Sequence, residues 1–488
     1  MVRKTKRRSA DHETIHVLVP GREMLSSHHC SALASLFFYA LHLAVFFVSK
    51  FLQTTWWFLN GTASHLRNIK KGKDYEHSAQ LLRIHHRSLP QPCIIHKQRH
   101  FITSHVKFVH PEYVLQENVI LMTVTEDEAI FGVVPHDENV FDTVKTSFLY
   151  DAIFKHSQYL LVMPVTSMIK LAGKVGRPNA KVIWLHSTGR CGSTAMAQVF
   201  NNLPESMALS EPFGLLSIIH SFKGRHFGEG TEWKKSRSFV ELYTSAVCMI
   251  LKPIRTPAKV ILVKSPPMMS LVDAELLHEH FPEFIQAFLY RNGSDQIYSL
   301  YKSLVSLNPV ADLTRYGASV LNLHKLSPDF LPVGITYTAC EDREMIQWLM
   351  DPAQLLKITC FHEYSLSWAW LCGRYKKLIS SIDWKDRIVA FRFEHLKSDR
   401  QSYLKGFFHY VGIEMTDELM SLTLEALDQD SQQGSSVNRL AVSQRKVVVS
   451  QQMIDEVNKY FHYFDVPLWG ELMELPNTCN MRAEGKRV

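Results

Sequence analysis

The stretch from Val182 to Thr194 constrains the fold of this 488-residue chain most strongly. Its first four residues, Val182 to Leu185, form a short apolar run that is typical of a buried parallel strand. Gly189 and Gly192 then predict a tight turn, and apolar residues at helical spacing predict a helix from Ser193 onward. A strand, a glycine-rich turn and a helix N-terminus together form an anion site, because free backbone N–H groups and the positive end of the helix dipole point into the turn.

The side chains of this turn suit an anion but do not form a Walker A motif. Arg190 adds a full charge and a fork of donors for phosphate or sulfate oxygens. A Walker A motif requires G-x-x-x-x-G-K-[ST], whereas no lysine follows Gly192 here. A tight strand–helix connection with an incidental arginine is the alternative interpretation. The residues expected to surround the anion are Gly189, Arg190, Cys191, Gly192, Ser193 and Thr194.

Further candidate site residues follow three apolar strands downstream. Glu211 follows the strand predicted over 207–210, Lys264 follows the one predicted over 258–263, and Arg291 follows the one predicted over 284–290. Open α/β sheets bind ligands at the carboxyl ends of their strands, so these side chains are expected at one edge. The alternatives are a capping or salt-bridged glutamate and a solvated lysine at the rim.

Two of these segments resemble signatures of the sulfotransferase family, and the closest match is its carbohydrate-type, Golgi-resident branch. The first is the segment 187–194, continued by 200–204 and 210–213. The second is the run 290–301, in which the family uses an arginine and a serine eight residues later. Arg291 and Ser299 match that spacing, whereas Asn292 and Gly293 depart from the usual Asp-Pro. The resemblance implies an α/β, three-layer, P-loop-like fold with a central parallel sheet.

The resemblance also implies a sulfuryl donor, PAPS (3′-phosphoadenosine 5′-phosphosulfate), and no metal. The turn at 189–194 is expected to bind the 5′-phosphosulfate, and Arg291 and Ser299 the 3′-phosphate, with Arg439 assisting at the adenosine end. Cytosolic members place a histidine two residues after the lysine that matches Lys264, where this chain has a proline. Glu211 is therefore the expected general base, and Arg190, Glu211 and Lys264 form the predicted catalytic set.

The N-terminal region predicts a membrane anchor. No charged residue occurs from Met24 to Ser49, and the apolar core of this window runs from 32 to 48. About 20 apolar residues span a bilayer, and the aromatic run 56–58 resembles an interfacial belt. Basic residues at 3–8 favour a cytoplasmic N-terminus. We expect a single-pass type II protein of the Golgi membrane with a lumenal catalytic domain; a buried core helix is the alternative.

The expected domain order follows from these features. It comprises a cytoplasmic basic tail over 1–29, a transmembrane anchor over 30–59, a stem or linker over 60–107, a β-rich lead-in over 108–180, a catalytic domain over 181–470 and a tail over 471–488. The eight cysteines include no CxxC pair, so neither a zinc site nor a dense disulfide framework is indicated. The net charge of +7 is spread along the chain, and no nucleic-acid partner is expected.

The hypothesis from the sequence is a sulfotransferase that moves a sulfuryl group from PAPS to a hydroxyl or amine, with a glycan or another hydroxyl compound as the expected acceptor. Two other classes stay open. One is a P-loop kinase or NTPase, opposed by the missing Walker lysine. The other is a membrane-anchored binding protein that kept the fold and lost catalysis.

Overall fold

Two five-stranded sheets, one antiparallel and one parallel, form the framework of the chain. The computed structural model describes residues 27–90, 93–225, 232–252, 258–304, 358–433, 438–443 and 447–479, together with residues 321, 342, 344, 345, 348, 435 and 445. The chain completes the antiparallel sheet first and then enters the parallel sheet, which carries the candidate site.

The antiparallel sheet and its two helices occupy residues 79–175 and are called the antiparallel unit. Its strands are β1 (Ala79–Arg87), β2 (Phe101–Val109), β3 (Val119–Val124), β4 (Glu128–Val133) and β5 (Tyr159–Pro164), in the order β2-β1-β5-β4-β3. Helices α3 (Leu149–His156) and α4 (Val165–Val175) belong to it. Strands β3 and β4 lie within the section 108–180 that was expected to be rich in β-structure. Every residue of β3 is buried, which explains its unbroken apolar sequence.

The prediction of a stem over 60–107 is corrected by this sheet. Strand β1 and most of β2 lie in that range, and β1 pairs antiparallel with both β2 and β5. The section looked like a linker because it is rich in histidine and arginine. Several of these residues lie beneath the N-terminal helix instead: the rings of His86 and His105 contact those of His42 and Trp57.

The N-terminal helix α1 (Ser27–Leu59) is seated along the edge strand β2. Two polar side chains of α1 contact backbone carbonyls in or next to β2. His42 Nε2 lies 3.0 Å from the Arg99 carbonyl oxygen, and Gln53 Nε2 donates to the Thr103 carbonyl oxygen at 3.1 Å. Large apolar side chains such as Phe37, Phe51 and Trp56 are exposed on the other side. Residues 34–59 are long and apolar enough to cross a membrane, by length and composition. A short helix, α2 (Thr62–Lys70), follows.

The parallel sheet confirms the predicted fold class. Its strands are β6 (Lys181–Ser187), β7 (Ser206–Ser210), β8 (Val260–Lys264), β9 (Ile285–Tyr290) and β10 (Ile388–Arg392), and all neighbours in the order β10-β9-β6-β8-β7 pair in parallel. The helices between them are α5 (Ser193–Asn202), α6 (Phe213–Arg225), α7 (Arg237–Ile250), α8 (Ala274–His280), α9 (Gly293–Leu304) and α10 (Cys360–Ile379). After β10 come α11 (Phe393–Ser398), α12 (Arg400–Tyr410), α13 (Asp417–Asp428), α14 (Arg439–Ser443) and α15 (Gln451–Tyr463).

Alternate residues of the central strand β6 face two helical layers. Val182 and Trp184 pack into a core with α7 and α10, whereas Ile183 and Leu185 pack into a second core with α5, α12 and α13. This alternation follows from the two-residue period of a strand. Because both faces are covered, the strand is apolar throughout, as the sequence indicated.

Residues 471–479 are hydrogen-bonded to the parallel sheet and do not form a separate tail. Asn477 and Cys479 exchange backbone hydrogen bonds with Ala390 of β10, and the Leu475 amide donates to the Tyr290 hydroxyl at 3.1 Å. The predicted boundary at 471 is therefore corrected. Residues 480–488, like 1–26 of the predicted cytoplasmic tail, lie outside the described residues.

The antiparallel unit and the parallel sheet share one hydrophobic core. Strand β3 packs against α6 and α7, and α4 packs against α7. Two polar contacts cross the same boundary: Ser217 Oγ accepts from the Val124 amide at 2.8 Å, and Lys252 Nζ donates to the carbonyls of Val114 and Gln116. The section before residue 181 is thus packed onto the rest of the chain.

Candidate functional site

The candidate site lies at the carboxyl edge of the parallel sheet, next to its central strand. The chain leaves β6 for β7 and β8 on one side and later places β9 and β10 on the other, so the strand order reverses at β6. A crevice opens at such a switch point in open α/β sheets. The turn after β6, Glu211 after β7, Lys264 at the end of β8 and Arg291 after β9 all meet at this edge.

The turn between β6 and α5 has the conformation that the glycines predicted. Gly189, Arg190 and Gly192 have φ values of 78°, 50° and 84°, a region that glycine adopts readily and arginine only under constraint. At Gly192 a Cβ atom would lie 2.9 Å from the Phe393 ring, so the close packing of α11 also requires glycine. Among the residues that the structure describes, no side chain caps the N-terminus of α5, so its first amides are directed at the turn.

Three residues predicted to bind the donor come together here. Arg190 Nε donates to Ser299 Oγ at 3.2 Å, across 109 residues of sequence. Arg291 Nη1 donates to the Arg190 carbonyl oxygen at 3.4 Å. The turn and the second predicted segment therefore form one cationic site.

The electrostatics of this site favour an anion. Burial, and after it the charge of the neighbouring Arg291, lower the pKa of Arg190 to about 10. In the described part of the chain, the side-chain hydrogen bonds of Arg190 go to the neutral groups Ser299 and Gln432. Arg291 has Glu394 at 4.0 Å and stacks on Phe393 at 5.0 Å. Asp430 raises the pKa of Arg190 and Glu394 lies beside Arg291, so carboxylates compensate part of the charge. The two adjacent guanidinium groups nevertheless supply the paired donors that suit a polyanion.

Buried polar atoms without a hydrogen-bond partner support the same conclusion. In the described part of the structure, the hydroxyls of Ser187 and Ser265 and the Nε of Arg291 make no hydrogen bond although they are buried. Such groups are costly to bury unless a ligand or water completes them. Ser187 ends β6 and Ser265 follows β8, so two of the three lie at the ends of adjacent strands. The residues present therefore fit a phosphate or sulfate ester.

Glu211 and Lys264 form a buried ion pair on neighbouring strands. Their side chains are almost fully buried, and Nζ of Lys264 lies 2.5 Å from Oε1 of Glu211. Glu211 has a φ of 60°, and its amide donates to the Lys264 carbonyl oxygen at 2.9 Å. Glu211 and Lys264, two members of the predicted catalytic set, are therefore in direct contact at this edge. The alternative interpretation, a salt-bridged glutamate, describes the same contact.

The Cys191 side chain does not face the turn, and the Arg439 side chain is not described by the structure. The Cys191 side chain is buried and its Sγ lies 3.3 Å from the Leu289 carbonyl oxygen, so only its backbone can face an anion. Ser193 and Thr194 are buried at the start of α5, where their amides belong to the uncapped first turn. Arg439 begins α14, but its side chain lies outside the described residues.

Several neighbours of the site had no signal in the sequence. Gln432 binds Arg190 from a loop 242 residues away. Glu394 accepts from the Asn292 amide at 3.2 Å and from Arg392 Nε at 3.2 Å, which holds the turn after β9 in place. Gln296 donates to the Thr188 carbonyl oxygen at 2.7 Å and ties α9 to the anion turn. These contacts join segments that are distant in sequence, so no local sequence motif predicts them.

Comparisons with known proteins give a weak likeness. No family model and no curated protein matches the chain. Among solved structures, it is similar to sulfotransferase STF9 from Mycobacterium avium at 13% identity and a TM-score of 0.34, covering 66% of this chain and 86% of that one. For a sulfotransferase from Alicyclobacillus acidocaldarius the values are 11%, 0.30, 59% and 93%.

A third similar structure is mouse sulfotransferase SULT7A1 complexed with PAP, at 14% identity and a TM-score of 0.28, covering 60% of this chain and 88% of that one. The solved structures named here are thus all sulfotransferases. At identities and TM-scores this low, no statement about the activity of this chain follows from the likeness.

Proposed function

We propose that this chain is a sulfotransferase that uses PAPS as its sulfuryl donor. The observation that carries the proposal is the convergence of Arg190, Arg291 and Ser299 on the uncapped N-terminus of α5. Two cationic groups supplied by different strand ends suit a nucleotide that carries phosphate groups at two positions. PAPS has this charge distribution, with a 3′-phosphate and a 5′-phosphosulfate.

The binding roles follow from position in the fold. The amides of residues 191–194 and the Arg190 guanidinium hold the 5′ group, because they surround the turn after β6. Arg291 and Ser299 hold the 3′-phosphate, since Arg291 directly follows β9 and Ser299 lies on α9, one strand away from β6. Glu394 and Phe393 keep Arg291 in place by charge and by stacking.

PAPS, when bound, supplies a sulfuryl group with a good leaving group. The chain must then orient an acceptor, remove its proton and neutralise charge on the oxygens in transfer. Glu211 accepts the acceptor's proton, and Lys264, at 2.5 Å from that carboxylate, supplies the positive charge. Each must exchange its present partner for the reacting groups, so the ion pair describes the resting arrangement.

The alternatives are a P-loop kinase or NTPase and a binding protein without activity. The kinase or NTPase alternative is tested by titrating the purified chain with 3′-phosphoadenosine 5′-phosphate (PAP) and, separately, with ATP and Mg²⁺. PAP should raise the melting temperature in proportion to the logarithm of its concentration, because a ligand that binds only the folded state stabilises it. A larger shift with ATP and Mg²⁺ would overturn the proposal in favour of an NTPase. Release of PAP from PAPS with a hydroxyl acceptor separates an enzyme from an inactive binding protein.

We also propose that α1 attaches the chain to the Golgi membrane in the type II orientation, with the sheets in the lumen and a glycan as the acceptor. The exposed apolar side of α1 supports membrane attachment. An open sheet edge does not enter hydrocarbon, so a spanning α1 must leave its seat on β2. Protease added to sealed microsomes should leave residues 60 onward intact. Digestion of both sheets from outside would contradict the orientation.

A further inference from the structure

We propose that Phe148, from the antiparallel unit, forms a wall of the acceptor site and selects acceptors whose hydroxyl is carried by a ring with an apolar face. This inference rests on the proposed function, since it assigns a role beside the Glu211–Lys264 pair. It also gives the antiparallel unit a part in specificity, although none of the sequence motifs lies there.

The position of the Phe148 ring carries the proposal. Its centroid lies 4.9 Å from Nζ of Lys264, so the ring covers the ammonium group by a cation–π contact. Lys264 and Glu211 are almost fully buried, whereas Phe148 is half-buried. The ring thus borders both the buried pair and solvent, and an acceptor that passes beside it to reach the pair would contact it.

The residues on either side of Phe148 hold it next to strand β7 and helix α6. Ser210, the last residue of β7, donates from Oγ to the Ser147 carbonyl oxygen at 2.7 Å. Two residues after Phe148, the Tyr150 ring stacks on the Phe213 ring, with the two centroids 3.8 Å apart. Phe148 therefore lies between two anchors, and both anchors flank Glu211 in the sequence. A loop tied in this way keeps its ring in register with the carboxylate.

The chemistry of the wall determines which acceptors it favours. An aromatic face attracts the C–H face of a pyranose or another aromatic ring, and it offers nothing to a short acyclic alcohol. We therefore assign ring-borne hydroxyls as the substrate class, and a sugar and a phenol are its two sources.

The test compares three acceptors in the full-length, detergent-solubilised protein with PAPS as donor: methyl β-D-galactopyranoside, 2-naphthol and 1-propanol. Phe148→Ala should raise KM for the two ring compounds by about 2- to 10-fold, the range expected when an aromatic contact is lost. KM for 1-propanol and Kd for PAP should stay unchanged. Phe148→Tyr should retain the wild-type values, because it keeps the ring face. The ratio of the effects on the sugar and the phenol shows which source fits better.

Phe141→Ala is the matched control, since Phe141 is also half-buried and lies on the same loop, seven residues earlier. It should leave all three KM values unchanged. If Phe148→Ala does not fold, Phe148→Leu keeps most of the volume without the aromatic face. A KM that rises equally for 1-propanol, an equal effect of Phe141→Ala, or a wild type that binds PAP yet sulfates neither ring compound would overturn the proposal. Failure of the wild type to bind PAP would instead overturn the proposed function itself.

Discussion

The parallel sheet and the antiparallel unit reach the candidate site in different ways. In the parallel sheet, each chemical group follows directly from a strand: the anion turn from β6, Glu211 from β7, Lys264 from β8 and Arg291 from β9. The antiparallel unit sends one loop, held by Ser147 and Tyr150, to the side of Glu211. The comparison teaches that parallel strand ends concentrate charge at one edge, whereas the antiparallel sheet shapes the space beside it.

The two regions nevertheless depend on each other. They share a continuous apolar core, and Lys252 crosses between them with both of its acceptors in the antiparallel unit. If the comparison is correct, variants at strand ends of the parallel sheet should change chemistry and ligand binding. Variants in the packed boundary around Lys252, away from the Phe148 loop, should change stability alone.

The largest effect is expected for Glu211→Gln. The amide retains the shape and can still accept from Lys264, but it cannot take the acceptor's proton. Turnover should fall by roughly 10²–10⁴-fold, the usual contribution of a positioned base, while the Kd for PAP holds.

Glu205→Gln is the matched control for that experiment. Glu205 pairs with Lys259 at 2.7 Å across the same two strands, β7 and β8, but at the opposite and exposed edge. An exposed pair contributes about 0–1 kcal/mol, so turnover should be unchanged. Near-normal turnover of Glu211→Gln, with only a lower melting temperature, would identify the Glu211–Lys264 pair as structural.

A smaller effect is expected for Arg291→Ala. Loss of a charged hydrogen bond to the 3′-phosphate should weaken PAP binding by about 1.5–3 kcal/mol. Adenosine 5′-phosphosulfate, which lacks that phosphate, should bind with little change. Isothermal titration with both ligands measures the difference.

The control for Arg291 is Arg177→Ala, which removes an exposed arginine that pairs with Glu283 at 2.8 Å, just after α4. It should leave both affinities unchanged. Equal losses for the two ligands in Arg291→Ala would show that the anion turn and the end of β9 do not bind separate groups of the nucleotide.

The last effect is expected at the boundary between the two regions, and it concerns stability and not ligand binding. Burial lowers the pKa of Lys252 to about 7 from its ordinary value of 10.5. Between these pH values the unfolded chain holds a proton that the folded chain has released, so the free energy of unfolding should rise with pH. The slope has an upper limit of about 1.4 kcal/mol per pH unit, and this gain is absent below pH 7.

Urea unfolding of the wild type and Lys252→Met at pH 7.5, 8.5 and 9.5 measures this slope. The difference between the two proteins should grow with pH, and PAP affinity should be the same in both. Lys259→Met, at an exposed position, should follow the wild type. A parallel pH dependence in wild type and Lys252→Met would contradict the neutral state of Lys252 at the boundary.

The local features of the parallel sheet could be predicted from the sequence. The turn with Gly189 and Gly192 and the start of α5 at Ser193 agree with the structure, because each depends on residues within one strand–turn–helix unit. The strands before Glu211, Lys264 and Arg291 were predicted for the same reason. The functional roles of these three residues stay predictions until the variants above are measured.

The antiparallel unit shows where such prediction stops. Strands β1 and β2 looked like a linker, because their histidines and arginines mask the alternation that marks a half-buried strand. Their burial depends on the pairing of β1 with β5, about 80 residues later, and on the packing of α1 against β2. A pattern search along the chain has no access to either partner.

By itself, the sequence determined the elements whose cause is local: the apolar strand that becomes β6, the glycine turn, the helix it opens and the apolar stretch of α1. The tertiary structure decided what those elements face. It placed Ser299 on Arg190, Glu394 beside Arg291 and Phe148 over Lys264. The physical reason is that backbone conformation and apolar periodicity act over a few residues, whereas the charge balance and shape of the site arise from side chains brought together by strand order.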